Sequence, residues 1–314
     1  LFLRKHDANG NEEWTQQLGT PALDEAYGLA IDSSGNIYVG GTTAGRFTGQ
    51  TNTSAPGYRD ILLVKYGTNG ELFWKRVIDS TQSTSGGDQI YALGVDSSDN
   101  VYITGYTDQR LEGHTSSGAE DYFLIKYNSE GVQQWSKQEG TSTAEYGQGL
   151  AVDSSDNIYV TGTTYRGLEG TNAGNSDIFL VKYSDNGTSL WTKQLGTDTE
   201  DNPKGISVDS SGDIYITGYT EGELDGNTNQ GGKDIFLVKY DSSGTKKWSQ
   251  LFGTSVDDYA YSVKADSSGI YVTGFTKGDL DGKTNSGSID GNSASNLSKN
   301  DIFLVKFNSD GVKQ

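Results

Sequence analysis

The chain has 314 residues, 32% of them hydrophobic, and a formal net charge of −18 with an isoelectric point near 4.4. This acidic balance opposes binding to nucleic acid or anionic lipid, because both are recognised largely through Lys and Arg. The sequence has no cysteine, which excludes disulfides and thiolate metal sites. No apolar run is long enough for membrane insertion.

In chain order, the sequence opens with an apolar segment, LFLRKHD, followed by a turn and Trp14. The same unit recurs before four further tryptophans, and a last copy, IFLVKFNSDGVKQ, ends the sequence. A second hairpin, such as GLAVDSSDNIYVTG, occurs five times between these units. The tryptophans are Trp14, Trp74, Trp135, Trp191 and Trp248, spaced 60, 61, 56 and 57 residues apart. Such a period is the signature of a repeat architecture.

Each repeat predicts four short strands, which we call A (as in GLAVD), B (NIYVTG), C (DIFLVKY) and D (around the tryptophan). Strands A and C are nearly continuous apolar runs, as expected of strands that are covered on both faces. The A–B and C–D turns carry Asp, Asn and Gly, which suit tight hairpins. Four-stranded antiparallel units in tandem predict an all-β fold, a β-propeller.

The strand count predicts one domain over residues 1–314, made of five tandem repeats of about 56–67 residues. The first tryptophan strand, EEWTQQLG, is expected to complete the last A–B–C set, which gives five blades, with six as the alternative. This closure leaves one C-type strand in surplus near the termini. An unpaired strand is a template for a partner chain.

The pattern D-S-S-[GD]-N-I-Y-V-T-G followed by D-I-F-L-V-K-Y-x-x-x-G-x-x-x-W resembles the bacterial SBBP β-propeller repeat and, more loosely, the NHL repeat. The resemblance covers essentially the whole chain. It implies an extracellular or cell-surface bacterial protein, and no common catalytic residue set comes with it. One A–B turn departs from the pattern, since KADSSGIYV lacks a residue after Gly269.

Three polar positions recur in every repeat and have structural interpretations. An Asp that ends strand A is expected to accept hydrogen bonds from turn N–H groups. A Lys inside strand C must reach solvent or pair with a carboxylate, and we expect it to pair between blades with a recurring Asp. The strand-A residues are Asp32, Asp96, Asp153, Asp209 and Asp266, strand C begins with Asp60, Asp121, Asp177, Asp234 and Asp301, and its lysines are Lys65, Lys126, Lys182, Lys239 and Lys306.

A fourth position, eight residues before the strand-A Asp, is acidic in all five repeats. In a propeller, the loop that enters strand A lies near the central channel, so these carboxylates are candidates for a ring that binds a ligand. Hard cations prefer carboxylate oxygens, which makes Ca²⁺ the candidate cofactor. The alternative interpretation is that each carboxylate caps its own loop. The residues are Asp24, Asp88, Glu145, Asp201 and Asp258.

The loops between strands B and C vary most in length and sequence and are rich in Gly, Asn, Thr and Ser. Variable loops on a rigid scaffold commonly carry binding specificity, so they are candidates for contact with a protein or glycan ligand. Within one of them, Asp225, Asn227 and Asn229 have the spacing found at the start of a calcium loop. The Gly and the distal Glu of an EF-hand are missing. These three residues are a second candidate metal site.

The sequence marks no catalytic residues. The two histidines, His6 and His114, occupy non-equivalent positions, and no G-x-S-x-G or phosphate-binding Gly loop is present. The leading prediction is a non-catalytic binding or scaffold module of a secreted or cell-surface bacterial protein, with the B–C loops as the binding surface. One alternative is a structural assembly protein whose surplus strand joins copies of itself. Another is a hydrolase with an axial acidic site.

Overall fold

A computed structural model describes residues 1–47, 58–78, 87–285 and 300–314. Within these ranges the regular secondary structure consists of β-strands and one 3₁₀ turn at Leu280–Gly282. The all-β prediction is confirmed. No helix in the same ranges is long and apolar enough to cross a membrane.

The strands follow one another as hairpins and fall into six sheets. The first sheet has two strands, the next four have four strands each (blades 1 to 4), and the last has three (blade 5). The strands are β1 (Phe2–His6) and β2 (Glu12–Gln17); β3 (Asp24–Ile31), β4 (Ile37–Thr43), β5 (Asp60–Tyr66) and β6 (Leu72–Ile78); β7 (Gln89–Val95), β8 (Val101–Thr107), β9 (Asp121–Tyr127) and β10 (Gln133–Glu139); β11 (Glu145–Val152), β12 (Ile158–Thr164), β13 (Asp177–Tyr183) and β14 (Ser189–Leu195); β15 (Asp201–Val208), β16 (Ile214–Thr220), β17 (Asp234–Tyr240) and β18 (Lys246–Phe252); and β19 (Asp258–Asp266), β20 (Gly269–Thr276) and β21 (Asp301–Phe307).

The order of predicted strands A, B, C and D is confirmed in each four-stranded sheet. Strand β2, which was expected to complete the last blade, is paired antiparallel with β1. The last blade consists of β19, β20 and β21, also antiparallel. The described strands therefore form six sheets, and a count of five closed blades stays a prediction.

The chain divides into two compact units. One comprises Leu1–Val152, Asp156–Ile158 and Tyr183–Thr188, and the other comprises Asp153–Ser155, Tyr159–Lys182 and Ser189–Gln314. The extent of a single domain over residues 1–314 stays a prediction.

The buried core lies in strands B and C. Every residue of β4 and β5 is buried, and the same holds for β16 and β17. Strand A is only partly buried, as in β7, because it forms one edge of its sheet. The expectation that A and C would be the covered pair is therefore wrong for A. Each fully buried Ile, Leu or Phe contributes about 1.5–3 kcal/mol to stability by leaving water.

Candidate functional site

The Asp that ends strand A holds the A–B turn together. Asp96 Oδ1 accepts hydrogen bonds from the N–H groups of Ser98 (3.0 Å) and Asn100 (2.9 Å), and the Tyr102 hydroxyl donates to Oδ2 (2.8 Å). Burial raises the pKa of Asp96, but the hydrogen bonds from Asn100 and Tyr102 and the charge of Lys126 outweigh burial and hold the pKa below its usual value. The turn interpretation of this position is confirmed.

In blades 1 to 4 the strand-C lysine pairs with a carboxylate of its own blade. Lys65 Nζ lies 3.1 Å from Asp32 Oδ2, and Lys239 Nζ lies 2.7 Å from Asp213 Oδ2. Lys65 stands opposite Tyr38 in the β4–β5 register, close to the A–B turn of the same sheet. The turn carboxylate is therefore the nearest partner, and the expected pairing between blades is wrong.

Neighbouring blades are joined through the tryptophan and the same lysine. Trp135 Nε1 (3.0 Å) and Lys126 Nζ (3.3 Å) both donate to the carbonyl oxygen of Asp185, in the next C–D turn. Gly187 of that turn has φ +81°, and a Cβ there would lie 3.1 Å from the Trp135 ring. The arrangement recurs for Trp14 and Lys5 on Thr68, for Trp74 and Lys65 on Ser129, and for Trp248 and Lys239 on Ser309. These recurring residues serve the architecture.

The acidic residues of the fourth position begin strand A or directly precede it. Two backbone hydrogen bonds show where they lie: Asp201 N–H donates to Ser176 O (3.1 Å), and Asp258 N–H donates to Lys233 O (2.6 Å). Each acceptor precedes the Asp that begins strand C of the previous blade, so two recurring carboxylates become neighbours. No three His, Cys, Asp or Glu side chains of the described ranges converge as metal ligands. The ring around a channel stays a prediction.

The pair formed by Asp234 and Asp258 lies against Gly253. Asp234 Oδ1 and Asp258 Oδ2 are 2.3 and 2.9 Å from the point that a Cβ of Gly253 would occupy. Thr254 donates to Asp258 Oδ2 from its N–H (2.5 Å) and its hydroxyl (2.9 Å), and Gln230 N–H donates to Asp234 Oδ2 (2.5 Å). The capping interpretation is thus confirmed for Oδ2. The buried Oδ1 atoms of both carboxylates have no hydrogen-bond partner among the described residues.

The pair formed by Asp177 and Asp201 is similar, with Asp177 packed against Gly196. Asp177 Oδ1 is 2.2 Å from the Cβ position of Gly196. Thr197 donates to Asp201 Oδ2 from its N–H (2.5 Å) and hydroxyl (3.0 Å), and Gln194 Nε2 donates to Asp177 Oδ2 (2.8 Å). Burial, with a smaller contribution from the charge of Asp177, raises the pKa of Asp201 to about 6. In the other pair, burial and the nearby Asp258 raise the pKa of Asp234 to about 6.

Other members of the position follow the same pattern in part. Asp121 Oδ1 and Glu145 Oε2 are 2.1 and 2.8 Å from the Cβ position of Gly140. Asp88 N–H donates to the carbonyl of the residue that precedes the first Asp of β5 (2.8 Å). Asp24 caps the loop before β3, and the sequence has no Asp at the start of β1 to pair with it.

The three residues of the predicted calcium loop make other contacts. Lys246 donates to Asp225, which has φ +54°. Asn227 and Asn229 use their Nδ2 groups to donate to nearby backbone carbonyls. These contacts stabilise the loop, and a calcium site there stays a prediction.

One polar network does not repeat and is not marked by any sequence pattern. Glu139 Oε2 accepts hydrogen bonds from the hydroxyls of Tyr122 (2.7 Å) and Tyr183 (2.9 Å), which lie 2.7 Å from each other. Tyr122 stands where the other complete repeats have Ile, and burial raises its pKa well above the usual value. Tyr122 and Tyr183 are buried, and their hydrogen bonds to the half-buried Glu139 connect β9, β10 and β13.

The strands, turns and blade contacts define a protein built from β-propeller repeats. The family model described as Beta-propeller repeat, SBBP, matches residues 13–48, 82–112, 134–169 and 190–225. The chain matches the SBBP repeat in these four segments, and the resemblance seen in the sequence is confirmed there.

Relatives with curated descriptions share low identity with the chain. An uncharacterized WD repeat-containing protein of Acanthamoeba polyphaga mimivirus is 24% identical over 78% of this chain and 23% of its own length. Regulatory protein FlaEY of Caulobacter vibrioides is 27% identical over 54% of this chain and 19% of its own length. The chain thus spans about a fifth of these relatives. A solved protein of unknown function from Bacteroides caccae aligns with 12% identity and a TM-score of 0.47, over 82% of this chain and 77% of that chain.

Proposed function

We propose that the protein is a non-catalytic binding module, exported or displayed at a bacterial cell surface, that recognises a protein or glycan through its B–C loops. We propose in addition that its blades number five. The proposal rests on a contrast between the polar residues that recur in every repeat and the loops that vary. The recurring Asp, Lys and Trp side chains are engaged in turns and blade contacts, as with Trp135 and Lys126. The B–C loops are the part in which the repeats differ.

The three B–C loops that the structure describes throughout, at 108–120, 165–176 and 221–233, are anchored at their bases and have exposed residues at their tips. Gln138 donates from Nε2 to Gln109 O (2.7 Å), and its Oε1 accepts from Leu111 N–H (2.8 Å). Leu224 at the equivalent point of a later loop is fully buried. A fixed base with a variable exposed tip is the usual design of a recognition loop. Tyr165, which is 45% exposed and not repeated in the other loops, supplies an aromatic face that suits a sugar ring or an apolar side chain.

The test is binding of the labelled protein to a glycan array and to an array of bacterial surface proteins. We expect a restricted set of ligands, with affinity reduced about tenfold by Tyr165→Ala. Tyr261→Ala is the matched control, because Tyr261 is similarly exposed (51%) but lies on strand β19. Equal binding by both variants, or no selective ligand on either array, counts against recognition by the B–C loops.

A second candidate function, assembly of chains through a strand edge, is favoured by the surface of β21. Ile302 is 91% and Leu304 70% exposed, whereas Ile235 and Leu237 at the same places of β17 are fully buried. A cavity of about 300 Å³ lies beside β21, lined in part by Leu280 and these two residues. In the four-stranded blades this place holds strand D. An open edge with apolar side chains favours pairing with a strand from a second copy.

Light scattering across a concentration series tests the second candidate. We expect concentration-dependent association that is abolished by Ile302→Lys combined with Leu304→Lys. Leu190→Lys is the control, since Leu190 is exposed on strand β14 of a complete blade. A strictly monomeric protein at the highest concentration excludes assembly through this edge.

A further inference from the structure

The paired carboxylates between blades are buried without a compensating charge. Asp177 is 1% exposed, and Asp201, Asp234 and Asp258 are fully buried. Among the described residues no Lys, Arg or His forms a salt bridge with any of them. Two adjacent buried carboxylates are strongly unfavourable unless a proton or a cation neutralises them.

The hydrogen bonds of each carboxylate leave one oxygen unused. Asp201 Oδ2 accepts two hydrogen bonds from Thr197, and Asp177 Oδ2 accepts from Ala173 N–H (2.9 Å) and Gln194 Nε2 (2.8 Å). Donors of this kind favour the ionised carboxylate. By hydrogen-bond geometry the buried Oδ1 atoms of both residues have no partner in the described part of the chain, although the Thr220 side chain lies close enough to Asp201 to lower the pKa of its carboxyl group.

A glycine allows one carboxylate of each pair to pack directly against the backbone. Asp177 Oδ1 lies 2.2 Å from the Cβ position of Gly196, and Asp234 Oδ1 lies 2.3 Å from that of Gly253. Any side chain at these glycines would collide with the carboxylates. The same unpartnered oxygen and the same glycine therefore occur at two successive blade junctions. Ser176 Oγ, next to Asp177, is likewise buried with no hydrogen-bond partner.

We propose that each of these junctions binds a hard cation, with Ca²⁺ as the best match, through the carboxylates of Asp177 with Asp201 and of Asp234 with Asp258. Ca²⁺ accepts irregular sets of oxygen ligands, so backbone carbonyls and water complete the coordination. The cations lie separately at the junctions, one for each pair. Each cation joins the start of strand C of one blade to the start of strand A of the next. This site is independent of any ligand of the B–C loops.

Equilibrium dialysis against Ca²⁺ after removal of metals with a chelator, followed by elemental analysis, measures the number of bound ions. Calorimetry in Ca²⁺, in Mg²⁺ and in chelator, at constant ionic strength, measures the effect on Tm. We expect retained Ca²⁺ and a Tm increase of several degrees, because a ligand that binds only the folded state stabilises it. Asp201→Asn and Asp258→Asn should each remove one ion per chain and reduce the shift.

These variants are expected to fold without the cation. An Asn at position 258 keeps an oxygen for the Thr254 donors and places an amide N–H₂ group beside Asp234. Asp225→Asn is the matched control, since it removes one loop carboxylate and leaves both pairs intact. Full Ca²⁺ binding by Asp201→Asn and Asp258→Asn together with its loss in Asp225→Asn overturns the proposal and assigns the ion to the B–C loop. No retained cation and no Tm shift, with a Tm that instead rises from pH 7.5 to 5.5, assigns a shared proton to the pairs and also overturns it.

Discussion

The pKa of a recurring Asp is shifted in opposite directions at different positions of the repeat. At the end of strand A, Asp96 receives several hydrogen bonds and lies 3.4 Å from Lys126 Nζ, and its pKa is lowered. At the start of strand C, Asp234 is buried beside Asp258, and its pKa is raised to about 6. The difference comes from the neighbours, because the side chain is the same and both positions are largely buried.

Removal of the strand-A carboxylate should therefore be costly. We expect Asp96→Ala to lower the free energy of unfolding by about 3 kcal/mol, because Lys126 is left buried without its partner. Asp7→Ala is the matched control: Asp7 accepts equivalent turn hydrogen bonds from Asn9 and Asn11 N–H but is exposed. That change should cost clearly less, because solvent replaces the lost hydrogen bonds of an exposed carboxylate. Urea unfolding measures both values, and equal losses would show that the Lys126 pair adds nothing.

The penalty of Asp96→Ala should depend on pH in one direction. Because the folded-state pKa of Asp96 is lowered, its contribution is complete above the unfolded-state pKa of about 4 and is lost as pH falls through the folded value. The difference between wild type and variant should be constant from pH 7 to 5 and shrink in more acidic urea titrations. A difference that grows in acid contradicts the assignment.

The recurring residues could be predicted from the sequence, but their partners could not. The repeat identifies both Asp177 and Asp201 as special positions. It does not say that they meet, because a contact within one repeat and a contact with the next repeat leave the same pattern. For Lys65 the sequence predicted a carboxylate partner in a neighbouring blade, but the partner lies in its own blade. Only the register of the strands decides between these cases.

At the level of elements, the C–D turn joins one blade to the next. Its carbonyl accepts from Trp135 and Lys126, and its glycine packs on the indole ring. This contact explains why Trp, turn Gly and strand-C Lys recur together. The strands themselves were predictable, since their apolar runs and turn residues are local signals. The lower burial of strand A could not be predicted, because β7 and its equivalents are apolar in sequence but lie at a sheet edge.

Two glycines, Gly187 in a C–D turn and Gly113 in a B–C loop, separate the backbone cost of a substitution from its packing cost. Gly187 and Gly113 have nearly equal φ values, +81° and +82°, but a Cβ at Gly113 meets no atom within 4 Å. Gly113→Ala should therefore cost only the backbone term of about 1 kcal/mol. Gly187→Ala should cost about 1–2 kcal/mol more, since the methyl group presses on Trp135. Chemical unfolding followed by tryptophan fluorescence measures the difference, and equal costs would refute the packing role of Gly187.

For the molecule as a whole, the number of blades is the property that the repeats predict least well. A repeat specifies the contact with its neighbour, as between Trp74 and Ser129. Closure depends on a small rotation at every junction, which no single residue encodes. The sheet of β21 has three strands and the sheet of β1 and β2 has two, so the described strands do not fix the number of blades.

The excess of acidic over basic residues predicts how the Tm of the protein depends on salt. The chain has 42 acidic and 24 basic residues, and buried pairs such as Lys65 with Asp32 are little screened by salt. Repulsion among the remaining surface carboxylates opposes the compact state and is screened as the Debye length falls to about 10 Å near 0.1 M salt. We therefore expect Tm to rise when choline chloride is increased from about 20 to about 300 mM, a salt that supplies no hard cation.

Exchanging exposed loop acids isolates this effect from site-specific binding. Glu112→Lys with Glu169→Lys changes two exposed residues of the B–C loops and reduces the magnitude of the net negative charge from −18 to about −14. The double variant should have the higher Tm at low salt and a weaker salt dependence, because less repulsion remains to be screened. A Tm that falls with salt would mean that attractive ion pairs outweigh repulsion. In that case exposed ion pairs such as Lys5 with Glu13, which salt screens strongly, stabilise the fold more than the surface repulsion opposes it.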